Sequence, residues 1–286
     1  MTDNTLPPRL NVKTAHSDHV PLYHIPQVVA LDFDRTIANN AAYMERFYMA
    51  AADIPGVSIE GIKLKKRVVE ASGETFDPLQ YVERVFVSER NRTQYEAFCT
   101  RFIEIEEPNV LYDDAVRFLD MLQQADVPHI VLTYGSNIAW QRLKLEAAQY
   151  PFSTKVIRHS NKGAEIKKYR HSDGTFQFRV SMGGAAEYVA NAMVLIDDKS
   201  SAFNEFPEAY PGFKVVRGKE LPSQQGQIPN TVRVITSLDE LTIIHGMVKI
   251  KSEGDPSPDN NFARRLASGV TPDQDMHRAT YVPIVS

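Results

Sequence analysis

The chain has 286 residues, 43% hydrophobic and 24% charged, enough for one good core with an accessory domain or tails beside it. Lysine and arginine total 32 against 36 acidic residues, and the formal net charge of -4 excludes a general attraction to nucleic acid or anionic lipid. The single cysteine, Cys99, excludes an internal disulfide or a thiolate metal cluster, and no apolar run approaches the ~20 residues of a membrane span.

Residues 1–25 are polar, proline-punctuated and without period, and so are predicted to be a tail. Met1–Pro26 contains no apolar h-region, so a cytoplasmic protein is expected. The first buried strand is expected at Val28-Val29-Ala30-Leu31, ending at Asp32. A helix-rich block of about four helices follows from Asn39 to Glu107, with Ser58 and Asp77-Pro78 as helix starts and Gly73 as a stop. Strand and helix then alternate: a helix opened by Tyr112-Asp113-Asp114, the strand His129-Ile130-Val131-Leu132, a helix over 137–150, and a short strand at Val156-Ile157. Tyr169–Val180, with Asp173-Gly174 at its centre, is predicted as a β-hairpin, because Asp-Gly suits the positive φ of a tight turn. A helix over Ala185–Ala192 is expected before the strand Met193–Ile196, which ends in Asp197-Asp198. Strands near Phe213–Val216 and Val232–Ile235 and a helix in SLDELTIIHG close the core, and 251–286 is predicted as a second tail. Such alternation implies an α/β fold, a parallel sheet with helices on both faces.

Three apolar strands end in groups suited to phosphate chemistry: Asp32-Phe33-Asp34-Arg35-Thr36, Thr133-Tyr134-Gly135-Ser136 and Asp197-Asp198-Lys199. Ligands of open α/β sheets sit outside the carboxyl ends of the strands. Any one of these aspartates could be a capped turn residue, but four at the ends of two buried strands are costly to crowd together without a cation.

VVALDFDRT resembles motif I of the haloacid dehalogenase-like superfamily, HIVLTYGS its motif II, and VLIDDK the double-aspartate form of its motif IV. The resemblance covers 26–38 and about 108–250. It implies a Rossmann-like catalytic core over 26–38 and 108–250, interrupted by a helical C1-type cap over 39–107. It also implies Asp32 as the nucleophile that becomes an aspartyl-phosphate, Asp34 as general acid and then base, and Thr133 as a hydroxyl bonding the phosphoryl oxygens. Asp197 and Asp198 would hold Mg²⁺, completed by the Asp32 carboxylate and the Asp34 backbone carbonyl. Lys162, in SNKGAEIKKY, matches the motif III cation, with Lys167 and Lys168 as competitors.

The physical logic is consistent with these roles: carboxylate attack splits one displacement into two easier ones, and a leaving alkoxide needs a proton. A halide needs none, so Asp34 argues against dehalogenation. Arg35 departs from the glycine commonly found inside motif I. A Mg²⁺-dependent phosphatase acting on a small phosphorylated metabolite is expected, with no nucleic acid or membrane partner. Its alternatives are a phosphotransferase or phosphonate hydrolase on the same fold, or a catalytically silent binding or regulatory protein. The phosphonate route usually needs a cap lysine with a depressed pKa, to which the charged cluster Lys63, Lys65, Lys66 is unsuited. That cluster reads as the wet face of a helix whose apolar side includes Ile59, Ile62 and Val69. His16, His19 and His24 are expected to be free imidazoles, and Phe47, Phe98, Phe102 and Trp140 to be core. Nothing in the sequence sets the oligomeric state.

Overall fold

The computed structural model describes residues 22–252, apart from 73–75, 90–91, 136, 151–153, 158–160, 182–184, 208 and 221. Most of both expected tails, and Gly73, lie outside the described residues. The chain opens with β1 (Leu22–Leu31). Four helices follow: α1 (Asn40–Ala51), α2 (Ile59–Ala71), α3 (Pro78–Glu89) and α4 (Arg92–Glu104). After α5 (Asp113–Gln124) come β2 (His129–Tyr134), α6 (Ile138–Ala147), β3 (Thr154–Ile157) and α7 (Lys162–Lys167). The strands β4 (Phe176–Ser181), β5 (Ala185–Asp197), β6 (Gly212–Val215) and β7 (Val232–Ile235) precede a final pair, β8 (Leu241–Ile244) and β9 (Met247–Ile250).

The main sheet runs β3-β2-β1-β5-β6-β7, all parallel, with β4 antiparallel to β5. Burial of both sheet faces explains why the central strands read as continuous apolar runs. Successive side chains point to opposite faces: Val29 and Leu31, like Val194 and Ile196, join one core cluster, while Val28 and Ala30, like Met193 and Leu195, join another. The first cluster continues through Phe33, Phe47, Phe98, Phe102 and Trp140, so α1, α4 and α6 share a single core with the sheet. Trp140 meets Phe47 edge-on at 5.9 Å and Phe102 at 5.3 Å. Such pairs contribute roughly 0.5–1.5 kcal/mol each beyond their buried area. Buried Arg46 of α1 donates to the carbonyls of Glu106, Pro108 and Ala147, tying the helical insertion to both the return linker and α6.

Both expected helix starts in the insertion are present: Ser58 accepts from the Gly61 N–H, and Asp77 from the Gln80 N–H. Ile62 is buried, while Lys63, Lys65 and Arg67 are exposed. No described helix is long and apolar enough to cross a membrane.

Three expectations from sequence give way. The segment 185–192 is strand, because β5 is clamped by β1 along its length on one edge and by β4 on the other, and strand pairing outweighs the helical preference of its alanines. The Asp173-Gly174 turn forms, with Gly174 at φ 88° and Asp173 accepting from the Thr175 N–H. Its ascending side, however, is the exit from α7, joined only by an Arg170–Phe176 bridge, and the antiparallel partner of β4 is β5. SLDELTIIHG forms one 3-10 turn over Leu238–Glu240 and then the β8–β9 hairpin. In addition, β1 starts at Leu22, within the expected tail, and includes His24.

Candidate active site

Asp32 leaves the end of β1 with its N–H donating to the Ile196 carbonyl of β5 at 2.8 Å, so parallel pairing delivers it beside Asp197 and Asp198. The chain then turns sharply: the N–H groups of Ile37 and Ala38 both donate to the Phe33 carbonyl. Arg35 sits inside this turn at φ 62°, left-handed backbone that favours glycine. That is the steric content of the departure noted in motif I. The Thr36 hydroxyl donates to Asp32 Oδ2 at 3.2 Å, fixing the carboxylate.

Carboxylate oxygens of Asp32, Asp197 and Asp198 lie within 4.8 Å of one another, all buried. Burial, aided by Asp197 and Asp34 and opposed by Lys162, pushes the Asp32 carboxyl up to about 6. Burial, followed by the charges of Asp32 and Asp197, pushes Asp198 up to about 8. Asp198 Oδ2 accepts from the Gln224 side chain at 2.5 Å, but its buried Oδ1 has no partner among the described residues. A cluster of hard oxygens with one unsatisfied and two carboxyls held above their ordinary range fits a hard divalent cation. The Thr133 hydroxyl, at the end of β2, is likewise buried without a partner.

Lys162 opens α7 behind the N-cap Asn161, and its buried ammonium bridges Asp32 and Asp197, at 2.5 Å from the latter. Burial alone would lower its pKa; the two carboxylates outweigh burial and raise it. Its competitors point elsewhere, Lys167 to Glu205 and Lys168 to Glu165. Gly163 is needed beside it: an added Cβ would lie 2.2 Å from the Asn204 carbonyl oxygen and 2.6 Å from the Phe206 nitrogen.

Asp34 faces α6. Its carboxylate accepts from Gln141 at 2.8 Å and from Lys144, a 4% exposed lysine lying over the rings of Phe33 and Trp140. Burial raises the Asp34 carboxyl, but Lys144, with help from Gln141 and Lys199, lowers it overall. Together Asp32, Asp34, Asp197, Lys162, Tyr134 and Lys199 line one cleft. Thus the structure gathers Asp32, Asp34, Lys162, Asp197 and Asp198, with Thr133 at the end of the adjoining β2. Sequence reasoning missed Gln141, Lys144 and Gln224, and named Lys199 at the end of its strand without giving it a role. For Gln141 and Lys144 a signal existed, polar residues interleaved with the apolar Trp140 and Leu143 of one helix. Gln224, in a 3-10 turn, left none.

No protein-family model matches the chain, and no curated protein is similar to it. Solved structures are. A haloacid dehalogenase-like hydrolase from Burkholderia xenovorans LB400 superposes with a TM-score of 0.50 at 14% identity, over 75% of this chain and 94% of that one. A HAD hydrolase, family IA, variant 3, from Entamoeba histolytica gives 0.40 at 14% identity, over 77% and 97%. A phosphoserine phosphatase from T. onnurineus gives 0.34 at 12%, over 75% and 91%. The first of these carries the conclusion: the protein has the Rossmann-like fold of haloacid dehalogenase-like hydrolases.

Proposed function

We propose that this protein, built on that fold, is a Mg²⁺-dependent phosphatase that hydrolyses a small phosphate monoester through an aspartyl-phosphate on Asp32. The observation that carries the reading is the convergence of the Asp32, Asp197 and Asp198 carboxylates within 4.8 Å, with Asp34 two residues beyond the first. Asp32, Asp197 and Asp198 would hold the ion, which supplies charge neutralisation between a carboxylate nucleophile and a dianionic substrate.

The chain's own residues account for the rest. Lys162 and Thr36 orient the Asp32 carboxylate, which attacks phosphorus as the ester oxygen departs. Asp34 gives that oxygen its proton. A water then attacks phosphorus, losing a proton to Asp34, and phosphate leaves with Asp32 restored. Lys144 favours the ionised Asp34 that the second step needs; an approaching phosphoryl dianion raises the same carboxyl toward the protonated form that the first step needs. Thr133 contributes a hydroxyl to the phosphoryl oxygens.

The helices of 39–107 are read as a cap over a small phosphorylated metabolite. This is supported by Asp77 at the start of α3, which accepts from Asn137, the N-cap of α6, at 2.9 Å and so joins the insertion to the loop after β2. A reducing cytoplasm suits Cys99. The test is a broad phosphate-ester panel with Mg²⁺, run beside Asp32→Asn and excess EDTA. Turnover by the native protein alone, and only with metal, is expected; turnover by Asp32→Asn or in EDTA overturns the reading.

A further inference from the structure

Lys199 follows the two aspartates at the end of β5. Its backbone N–H donates to Asp197 Oδ1 at 2.8 Å, which folds the main chain back over the carboxylate cluster. From there the side chain reaches the cleft, with its ammonium over the Tyr134 ring at 6.0 Å from the centroid. Tyr134 ends β2, so the pair joins the two strand ends that flank β1, and both residues line the cleft with Asp32, Asp34 and Lys162.

The cations around this cleft are otherwise committed. Lys162 is shared by Asp32 and Asp197, Lys144 is held by Asp34, and the Arg35 guanidinium lies 3.8 Å from Asp198. Among the described residues, Lys199 makes no ion pair. Beyond the longer-range attraction of Asp34 and Asp198, what holds it is an aromatic face, a weaker partner at a wet site than a charge-assisted hydrogen bond. An ammonium kept in place by so weak a partner is free to accept a stronger one. An anion entering between Asp34 and Lys162 meets it at once.

Resting on the phosphatase reading, we infer that Lys199 is a substrate-binding residue whose ammonium takes an oxygen of the transferring phosphoryl group, and that the Tyr134 ring positions it. The product, inorganic phosphate, carries the same oxygens, so it probes the contact without any turnover. Isothermal titration of inorganic phosphate in Mg²⁺ buffer is therefore run on the native protein, Lys199→Met and Lys199→Arg, with thermal melts to establish folding.

Lys199→Met should weaken binding about 10- to 100-fold, since one charge-assisted hydrogen bond is lost, whereas Lys199→Arg should stay within about threefold. Tyr134→Phe should match the native protein, and Tyr134→Ala should fall between native and Lys199→Met. Binding by Lys199→Met within twofold of native overturns the inference, as does a native protein that binds no phosphate. Normal phosphate binding by Lys199→Met with a raised KM only for esters bearing an anionic leaving group also overturns it, because the lysine would then read the leaving group. If phosphate binding depends on Lys199 yet no ester is turned over, the phosphate contact of Lys199 stands while the hydrolase reading, and with it the transferring group, fails.

Discussion

Gly163→Ala tests how closely the fold must approach Lys162. The new Cβ would meet the Asn204 carbonyl oxygen at 2.2 Å, the Phe206 nitrogen at 2.6 Å and the Glu205 carbonyl carbon at 3.1 Å. All three are backbone atoms, so no side chain can swing aside. The loop is also braced: Asn161 and Lys167 both hold Glu205, whose own φ is 58°. To restore ordinary contact α7 must retreat by about 1 Å, and Lys162 at its first position moves with it. Overpacking of this kind costs about 1–3 kcal/mol, a fall in Tm of roughly 2–5 °C for a chain of this size. Misplacement by an ångström costs about 10²-fold in rate. Thermal melts and kcat on the best ester of the panel measure both. Gly61→Ala is the control, because its Cβ would meet only side-chain atoms, the nearest being Ser58 Oγ at 3.3 Å, and alanine favours the helix. A Gly163→Ala protein with native Tm and a rate within twofold refutes the argument.

Asp34→Asn should slow aspartyl-phosphate formation by up to about 10²–10⁴-fold for an alkyl phosphate and far less for an aryl phosphate with an acidic phenol, read by single-turnover phosphorylation; equal slowing shows that Asp34 acts through structure. Gln224→Leu should weaken Mg²⁺ binding about 10- to 100-fold, by titration calorimetry without substrate, since Gln224 orients Asp198 Oδ2. Unchanged affinity would show that Asp198 needs no such support. His129 is 1% exposed, and burial lowers its pKa below 6.5 despite its bond to the Val127 carbonyl. The unfolded chain therefore takes up the proton first, so stability should fall by up to about 1.4 kcal/mol per pH unit as pH drops below 6.5, levelling once the folded imidazole also protonates. Urea titrations at a series of pH values should show a flatter profile for His129→Leu, and an identical profile would exclude this imidazole as the source.

How much was legible depended on where each element's partners lie. Strands buried on both faces announce themselves as Val-Val-Ala-Leu or Met-Val-Leu-Ile, and the carboxylates at their ends mark the side on which ligands gather. Ala185–Ala192 carries no such mark. Its state is decided by hydrogen bonds to β1 and β4, and neither strand is implied by an Ala-Ala-Glu-Tyr run. In SLDELTIIHG the capping box of Ser237 and Glu240 is real but serves a single turn. The β-branched Thr242-Ile243-Ile244 and the His245-Gly246 pair, with φ 51° and 72°, were the overlooked hairpin signal. Within the site, local spacing conveyed Asp32 and Asp34. The clamp of Gln141 and Lys144 on Asp34 spans more than 100 residues and appears only when α6 is packed.

The place of β1 in the sheet has a consequence for synthesis. Its neighbours are β2, paired through His129–Val131, and β5, paired through Glu187–Ile196, so its two edges close in order as the chain emerges. At ~5–20 residues/s, Leu31 precedes Ile196 by roughly 10–30 s. During that interval α1–α4 emerge and can cover the face of β1 that carries Val29 and Leu31, because they share its core cluster. They cannot satisfy its edges. A nascent chain interrupted before residue 187 leaves at least one edge of β1 unpaired, ready to add a strand from another chain. Ribosome-bound intermediates shorter than this should therefore be the ones that chaperones hold, and release should coincide with the emergence of β5.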